Sequence, residues 1–202
     1  MNAQISDTLT SKANTPEVLT EIYDSKRELT VWLRDTDSDI LDYAQTLVAS
    51  HSMFRGITAR LSVGEVSDYM SQKLPAGPGR AALIEDLVLI CDMFSCLFEL
   101  EHIGLRLVKL EQSMCPKFHC DQVPCRLLVS YLGAGTEYRD LASRNGSSSP
   151  TKAPAVHNIP LFAVALLKEQ GWEDDSEHGL FHRSPTSNEL YPRLLLSLDF
   201  AS

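Results

Sequence analysis

Cys115-Pro116-Lys117-Phe118-His119-Cys120-Asp121 is the stretch around which the rest of this chain can be organised. His119 and Asp121 stand two residues apart, so on an extended segment both side chains leave the same face. A second imidazole arrives in Gly179-Leu180-Phe181-His182, sixty-odd residues later and far enough for several strands to intervene. Two imidazoles and one carboxylate on one side of a cation leave the opposite positions open, an arrangement suited to non-haem Fe(II). His119, Asp121 and His182 are therefore the candidate metal ligands and the candidate catalytic centre. Arg193 opens an apolar strand eleven residues after His182, where its bidentate fork can grip a carboxylate.

The strand that Arg193 opens has two unlike faces. Leu194, Leu196, Leu198 and Phe200 share one, while Arg193, Leu195, Ser197 and Asp199 share the other. The apolar face is expected against helices or a second sheet. The mixed face carries a guanidinium and a hydroxyl, which suits the wall of a cavity.

This His, Asp, His, Arg order resembles the iron(II)/2-oxoglutarate oxygenases. The resemblance implies a jelly-roll core, Fe(II), 2-oxoglutarate as co-substrate, and Arg193 against its distal carboxylate with Ser197 as the candidate hydroxyl. In that superfamily the hydroxyl follows the arginine by two residues, whereas Ser197 follows Arg193 by four. A second likeness covers more of the chain. Cys115–His119, Tyr131-Leu132-Gly133-Ala134-Gly135-Thr136-Glu137, Gly179–Pro185 and Arg193–Asp199 resemble a bacterial group, the domain-of-unknown-function family 1826. Its members are often encoded near zinc-homeostasis genes. This implies zinc as a competitor for iron, and a non-redox zinc-binding protein as the alternative function.

Composition bounds the partners. The 202 residues carry a net charge of −9. Nucleic acid and anionic membranes need clustered Lys and Arg, so neither is expected. The expected substrate is a small molecule or a peptide, and no sequence feature sets the oligomeric state. No apolar stretch reaches membrane length and no basic start precedes an apolar run, so a cytoplasmic protein is expected. Five cysteines, an odd count, then read as reduced thiols.

Along the chain, residues 1–16 are polar and are expected as a loose arm, with a single domain over 17–202. Glu28–Arg34 reads as a strand. Thr36 with Asp39 resembles a capping box for a helix carrying Ile40, Leu41, Ala44, Leu47 and Val48 on one stripe. Phe54–Val63 alternates like a strand closed by Gly64, and a Pro/Gly break precedes a long helix running to about Leu100. That helix is apolar on most of its circumference and is expected to be buried on more than one side, with Cys91 and Cys96 as small core residues. From His102 onward the pattern turns to strands: 103–110, 126–131, 161–167, 179–182 and 194–200. Residues 140–155 are rich in Ser, Gly, Asn and Pro and read as a loop able to act as a lid. The expected architecture is α+β, a double-stranded β-helix backed by N-terminal helices.

Several other residues have a place in this reading. Cys115, Cys120 and Cys125 with His119 offer a thiolate zinc site, although the gaps of five lack the paired knuckles such sites use. Arg183 is a second carboxylate binder or a structural ion pair. His157 and His178 are alternative second imidazoles. Tyr131 and Thr136 are candidates to line the site, and Trp172 to shield its edge. Walker, dinucleotide and G-x-S-x-G patterns are absent, which argues against kinase or serine-hydrolase chemistry.

Overall fold

The computed structural model describes residues 9–49, 54–139, 155–172, 179–185 and 192–201. Its largest element is a seven-stranded sheet in the order β1-β2-β8-β5-β10-β4-β3. The strands are β1 (Thr10–Ala13), β2 (Leu29–Trp32), β3 (Gly56–Leu61), β4 (Ile103–Leu110), β5 (Cys125–Leu132), β8 (Val164–Lys168) and β10 (Arg193–Phe200). Among the described residues only β1 runs parallel to its neighbour; the other pairs are antiparallel. A smaller sheet, β7-β6-β9, is built from β6 (Glu137–Arg139), β7 (Val156–Asn158) and β9 (His182–Arg183). Among the described residues four helices complete this mixed α/β fold: a 3-10 helix (Pro16–Tyr23), α1 (Ser38–Ala49), α2 (Val63–Lys73) and α3 (Arg80–Phe98).

The alternation of β10 divides the core in two. Leu194, Leu196 and Leu198 join the cluster under the helices, where they meet Leu47 of α1 and Leu83, Leu87 and Phe94 of α3. Leu195 points the other way, into a second cluster with Leu128, Ala165, Tyr138 and Leu180, between the large sheet and the small one. Neighbouring strands keep the same parity. Cys125, Leu127 and Val129 of β5 face the helices, whereas Arg126, Leu128 and Ser130 share the opposite face. The candidate site residues of these strands therefore lie on one face of the sheet and most of the apolar mass on the other.

Four local expectations are corrected. Thr10–Ala13 lies in the segment expected as a loose arm, yet it pairs with Leu29–Trp32; its backbone donors find partners there although its side chains are polar. Residues 1–8 lie outside the described part. The cap of α1 is Asp37 and not Thr36: Asp37 Oδ1 accepts from the N–H groups of Asp39 (2.9 Å) and Ile40 (3.1 Å). Val63 and Gly64 do not end a strand but open α2, because Ser62 and Glu65 form a reciprocal capping box. Along α3, Cys91 is buried but Cys96 and Leu89 are exposed, so this helix buries a stripe and not several sides. No described helix is long and apolar enough to cross a membrane.

Candidate metal centre

His119 and His182 are partners in an isolated antiparallel bridge, each N–H donating to the other's carbonyl at 3.0 Å. Residues directly opposite in such a pair project to the same side. The backbone thus brings two imidazoles together, with ring centroids 4.6 Å apart. Asp121, two residues on from His119, reaches the same spot. Its Oδ1 lies 3.6 Å from His119 Nε2 and its Oδ2 lies 3.6 Å from His182 Nε2. One ligand atom from each of the three can be chosen so that all lie within 4.8 Å of one another.

The ring orientations suit ligation. His119 Nδ1 sits 2.9 Å from the Lys117 carbonyl, and His182 Nδ1 sits 3.1 Å from that of Leu180. A carbonyl can only accept, so each Nδ1 carries a proton, and each Nε2 is the nitrogen turned to the centre, with a lone pair for ligation in the neutral ring. Burial, followed by the backbone at Leu180 acting the other way and the neighbouring His119, leaves the His182 pKa lowered to about 4. Its imidazole is therefore neutral near pH 7, the form that ligates. Behind it lies Glu169, fully buried, with Oε1 3.3 Å from His182 Nδ1 and Oε2 accepting from the Asp121 N–H at 2.8 Å. Burial first, and the charges of Asp121 and Asp199 after it, push Glu169 up to about 9 against that backbone donor.

Arg126 holds the carboxylate. Its Nη1 donates to Asp121 Oδ2, while its Nε and Nη2 grip Asp199 at 2.7 and 3.2 Å. Burial works against the Arg126 charge, but Asp199, Asp121 and Glu169 outweigh it and raise its pKa above the ordinary value. Glu169 and Arg126 carried no sequence signal, because neither stands at a fixed spacing from the ligands.

Arg193 is 1% exposed, and burial lowers its pKa to about 10. Its Nη2 donates to Ser130 Oγ (3.1 Å) and Thr136 Oγ1 (3.2 Å). Its Nε and Nη1 are buried without a hydrogen-bond partner among the described residues. Space for this side chain depends on Gly133: a Cβ there would come within 2.7 Å of Arg193 Cγ, and its φ of 82° disfavours any other residue. The hydroxyls beside the guanidinium thus come from β5 and from the turn after it, and not from Ser197.

The space in front of the triad is a cleft of about 510 Å3, its solvent-open mouth included. His119, His182, Thr136, Arg106, Leu195 and Ser197 contribute to its lining. Ser197 stands on the face foreseen for it and is buried. Arg183 also lines the cleft but pairs with Glu137 at 2.6 Å, the structural ion pair of the two readings given for it. His157 stacks on Tyr138 in the small sheet, with centroids 5.3 Å apart, and is not part of the triad. His178 and the 140–154 part of the expected lid lie outside the described residues. Tyr131 points to the helix side, where its hydroxyl donates to Asp86. Trp172 packs on Tyr23 and Phe98 and does not shield the cleft.

The cysteines do not assemble. Cys115 lines the cleft, Cys120 lies against Gly179, and Cys125 is buried under the helices with its thiol pKa raised well above the ordinary value by that burial. Among the described residues the metal-competent cluster is His119, Asp121 and His182, and it contains no thiolate.

Comparison with known proteins gives a family and a fold. The model of the family described as "Protein of unknown function (DUF1826)" matches residues 13–199, and the chain belongs to that family. In structure the chain is similar to the dioxygenase for auxin oxidation from rice, at 11% identity and TM-score 0.52, over 96% of this chain and 82% of that one. It is also similar to the corresponding Arabidopsis thaliana enzyme in its binary complex with 2-oxoglutarate. Identity there is 12% and TM-score 0.58, over 96% of this chain and 92% of that one. At such identities the likeness is one of fold. No curated protein matches the chain in sequence.

Proposed function

We propose that this DUF1826 member is a non-haem Fe(II)- and 2-oxoglutarate-dependent oxygenase acting on a small molecule or peptide, with its two sheets forming a double-stranded β-helix. The observation that carries the reading is the pairing of two features on one sheet face. One is a triad of two imidazoles and a carboxylate; the other is a buried guanidinium with two nitrogens that have no hydrogen-bond partner among the described residues. An arginine in that condition is costly unless an anion meets it, and a dicarboxylate co-substrate supplies one.

The donor set fits Fe(II). His119 Nε2, His182 Nε2 and one Asp121 oxygen would hold it, with the opposite positions free. Bound there, the metal supplies the redox chemistry by which 2-oxoglutarate, O2 and a C–H bond become succinate, CO2 and an alcohol. The chain's own groups do the rest. Lys117 and Leu180 carbonyls fix the two rings through Nδ1, and Arg126 fixes Asp121. Arg193 receives the distal carboxylate with Ser130 and Thr136 as neighbours, leaving Ser197, which lines the cleft, for another contact. Leu128 and Leu195 give this part of the cleft an apolar wall.

Turnover of 2-oxoglutarate by anaerobically purified, Fe(II)-loaded protein tests this. Succinate release on admitting O2 is expected, and its loss in Arg193→Met at matched metal content. Stable zinc in the triad with no succinate release would instead leave a non-redox metal protein.

A further inference from the structure

Arg106 of β4 stands opposite Ser197 of β10 and lines the same cleft as His119 and His182. The other arginines there already have partners: Arg126 holds Asp121 and Asp199, and Arg183 holds Glu137. Arg106 is half-buried and, among the described residues, makes no side-chain hydrogen bond, ion pair or ring contact. A partly desolvated guanidinium without a counter-charge is a position an anion would stabilise.

That anion is not the one assigned to Arg193. Ser197 lies four residues from Arg193, about 13 Å along the strand, and Arg106 is one strand further over. One carboxylate cannot span both. The cleft that Arg106 lines has an apolar part formed by Val108, Met114, Leu128 and Leu195. A single guanidinium beside one hydroxyl matches a monoanionic, fork-shaped acceptor; a phosphate dianion would keep excess charge in a half-buried place.

We infer that Arg106, with Ser197, binds a carboxylate belonging to the oxidised substrate itself, which is a small organic acid with an apolar body. The role of that acid as substrate rests on the oxygenase reading above; the anion site does not. Arg106 is a specificity-determining residue, and the side chain that would select acids over neutral molecules of the same shape.

The test uses 4-phenylbutanoate and 4-phenylbutanamide, alike in shape and different in charge. Each is titrated into the metal-free protein, and into protein loaded with Mn(II) and 2-oxoglutarate. The acid is expected to bind at least tenfold more tightly than the amide in both. Arg106→Met should abolish the preference, keep the thermal midpoint, and leave 2-oxoglutarate affinity within twofold. Equal binding of acid and amide by the parent protein would overturn the inference, as would a preference that survives Arg106→Met. A tenfold loss of 2-oxoglutarate in Arg106→Met would overturn it too, by giving Arg106 to the co-substrate. Tighter competition by inorganic phosphate than by the acid rules out the carboxylate assignment. If neither Mn(II) nor 2-oxoglutarate binds while the acid preference persists and depends on Arg106, the oxygenase reading fails and the anion site stands.

Discussion

The two faces of β10 do different work. On one, Leu194, Leu196 and Leu198 are fully buried against α1 and α3. On the other, Arg193, Leu195, Ser197 and Asp199 look towards the small sheet and the triad. The backbone is common to both, so the difference lies in the side chains alone. The leucine face gains free energy by leaving water. The mixed face buries a guanidinium whose remaining donors have no acceptor among the described residues, which costs free energy. A fold keeps such a face only if the opposite one is stable enough to carry it. Stability and chemistry are thereby separated by a two-residue period.

That contrast can be broken from either side. Leu196→Ala, on the stable face, should lose about 2–5 kcal/mol in denaturant melts, since a fully buried leucine leaves a cavity. In the fraction that remains folded, metal affinity should be unchanged. Arg193→Met, on the other face, should weaken 2-oxoglutarate binding by about 1.5–3 kcal/mol, the scale of charge-assisted hydrogen bonds, as read by calorimetry. Its melting midpoint should hold or rise, because a desolvated charge is removed. Arg126→Lys keeps a charge but loses the fork that joins Asp121 to Asp199. Metal affinity should fall about tenfold, as for other groups that orient ligands from behind. The smallest effect is a labelling contrast: iodoacetamide should modify exposed Cys96 in the native protein and spare Cys91, whose thiol burial pushes up to about 12.

Much of the site was legible because its signals are local. His119 and Asp121 are two apart and share a face by strand geometry alone; the alternation of 193–200 put Leu195 and Ser197 on the face that lines the cleft, while Arg193 and Asp199 on that face are engaged with Ser130, Thr136 and Arg126 instead. What stayed hidden depends on pairing between distant segments. Ser130 reaches Arg193 only because β5 lies beside β10, and Glu169 reaches His182 from the end of β8, whereas Thr136 had been a candidate to line the site and does line the cleft. Nothing in the immediate neighbours of Ser130 and Glu169 marks them. The fold shows the same division. The α3 and β10 patterns are strong, whereas α2 buries only Val66 and Met70, too thin a stripe to compete with the apparent alternation running into Val63. Thr10–Ala13 is a polar edge strand held by backbone bonds, for which side-chain pattern carries no signal.

The convergence of His119, Asp121 and His182 is the centre of the account, and metal stoichiometry tests it most directly. Protein purified without oxygen and dialysed against Fe(II) should hold one iron per chain, with a visible charge-transfer band appearing when 2-oxoglutarate is added. His182→Ala, folded by circular dichroism, should hold none and show no band. Equal iron content in the parent protein and the folded His182→Ala variant would contradict it.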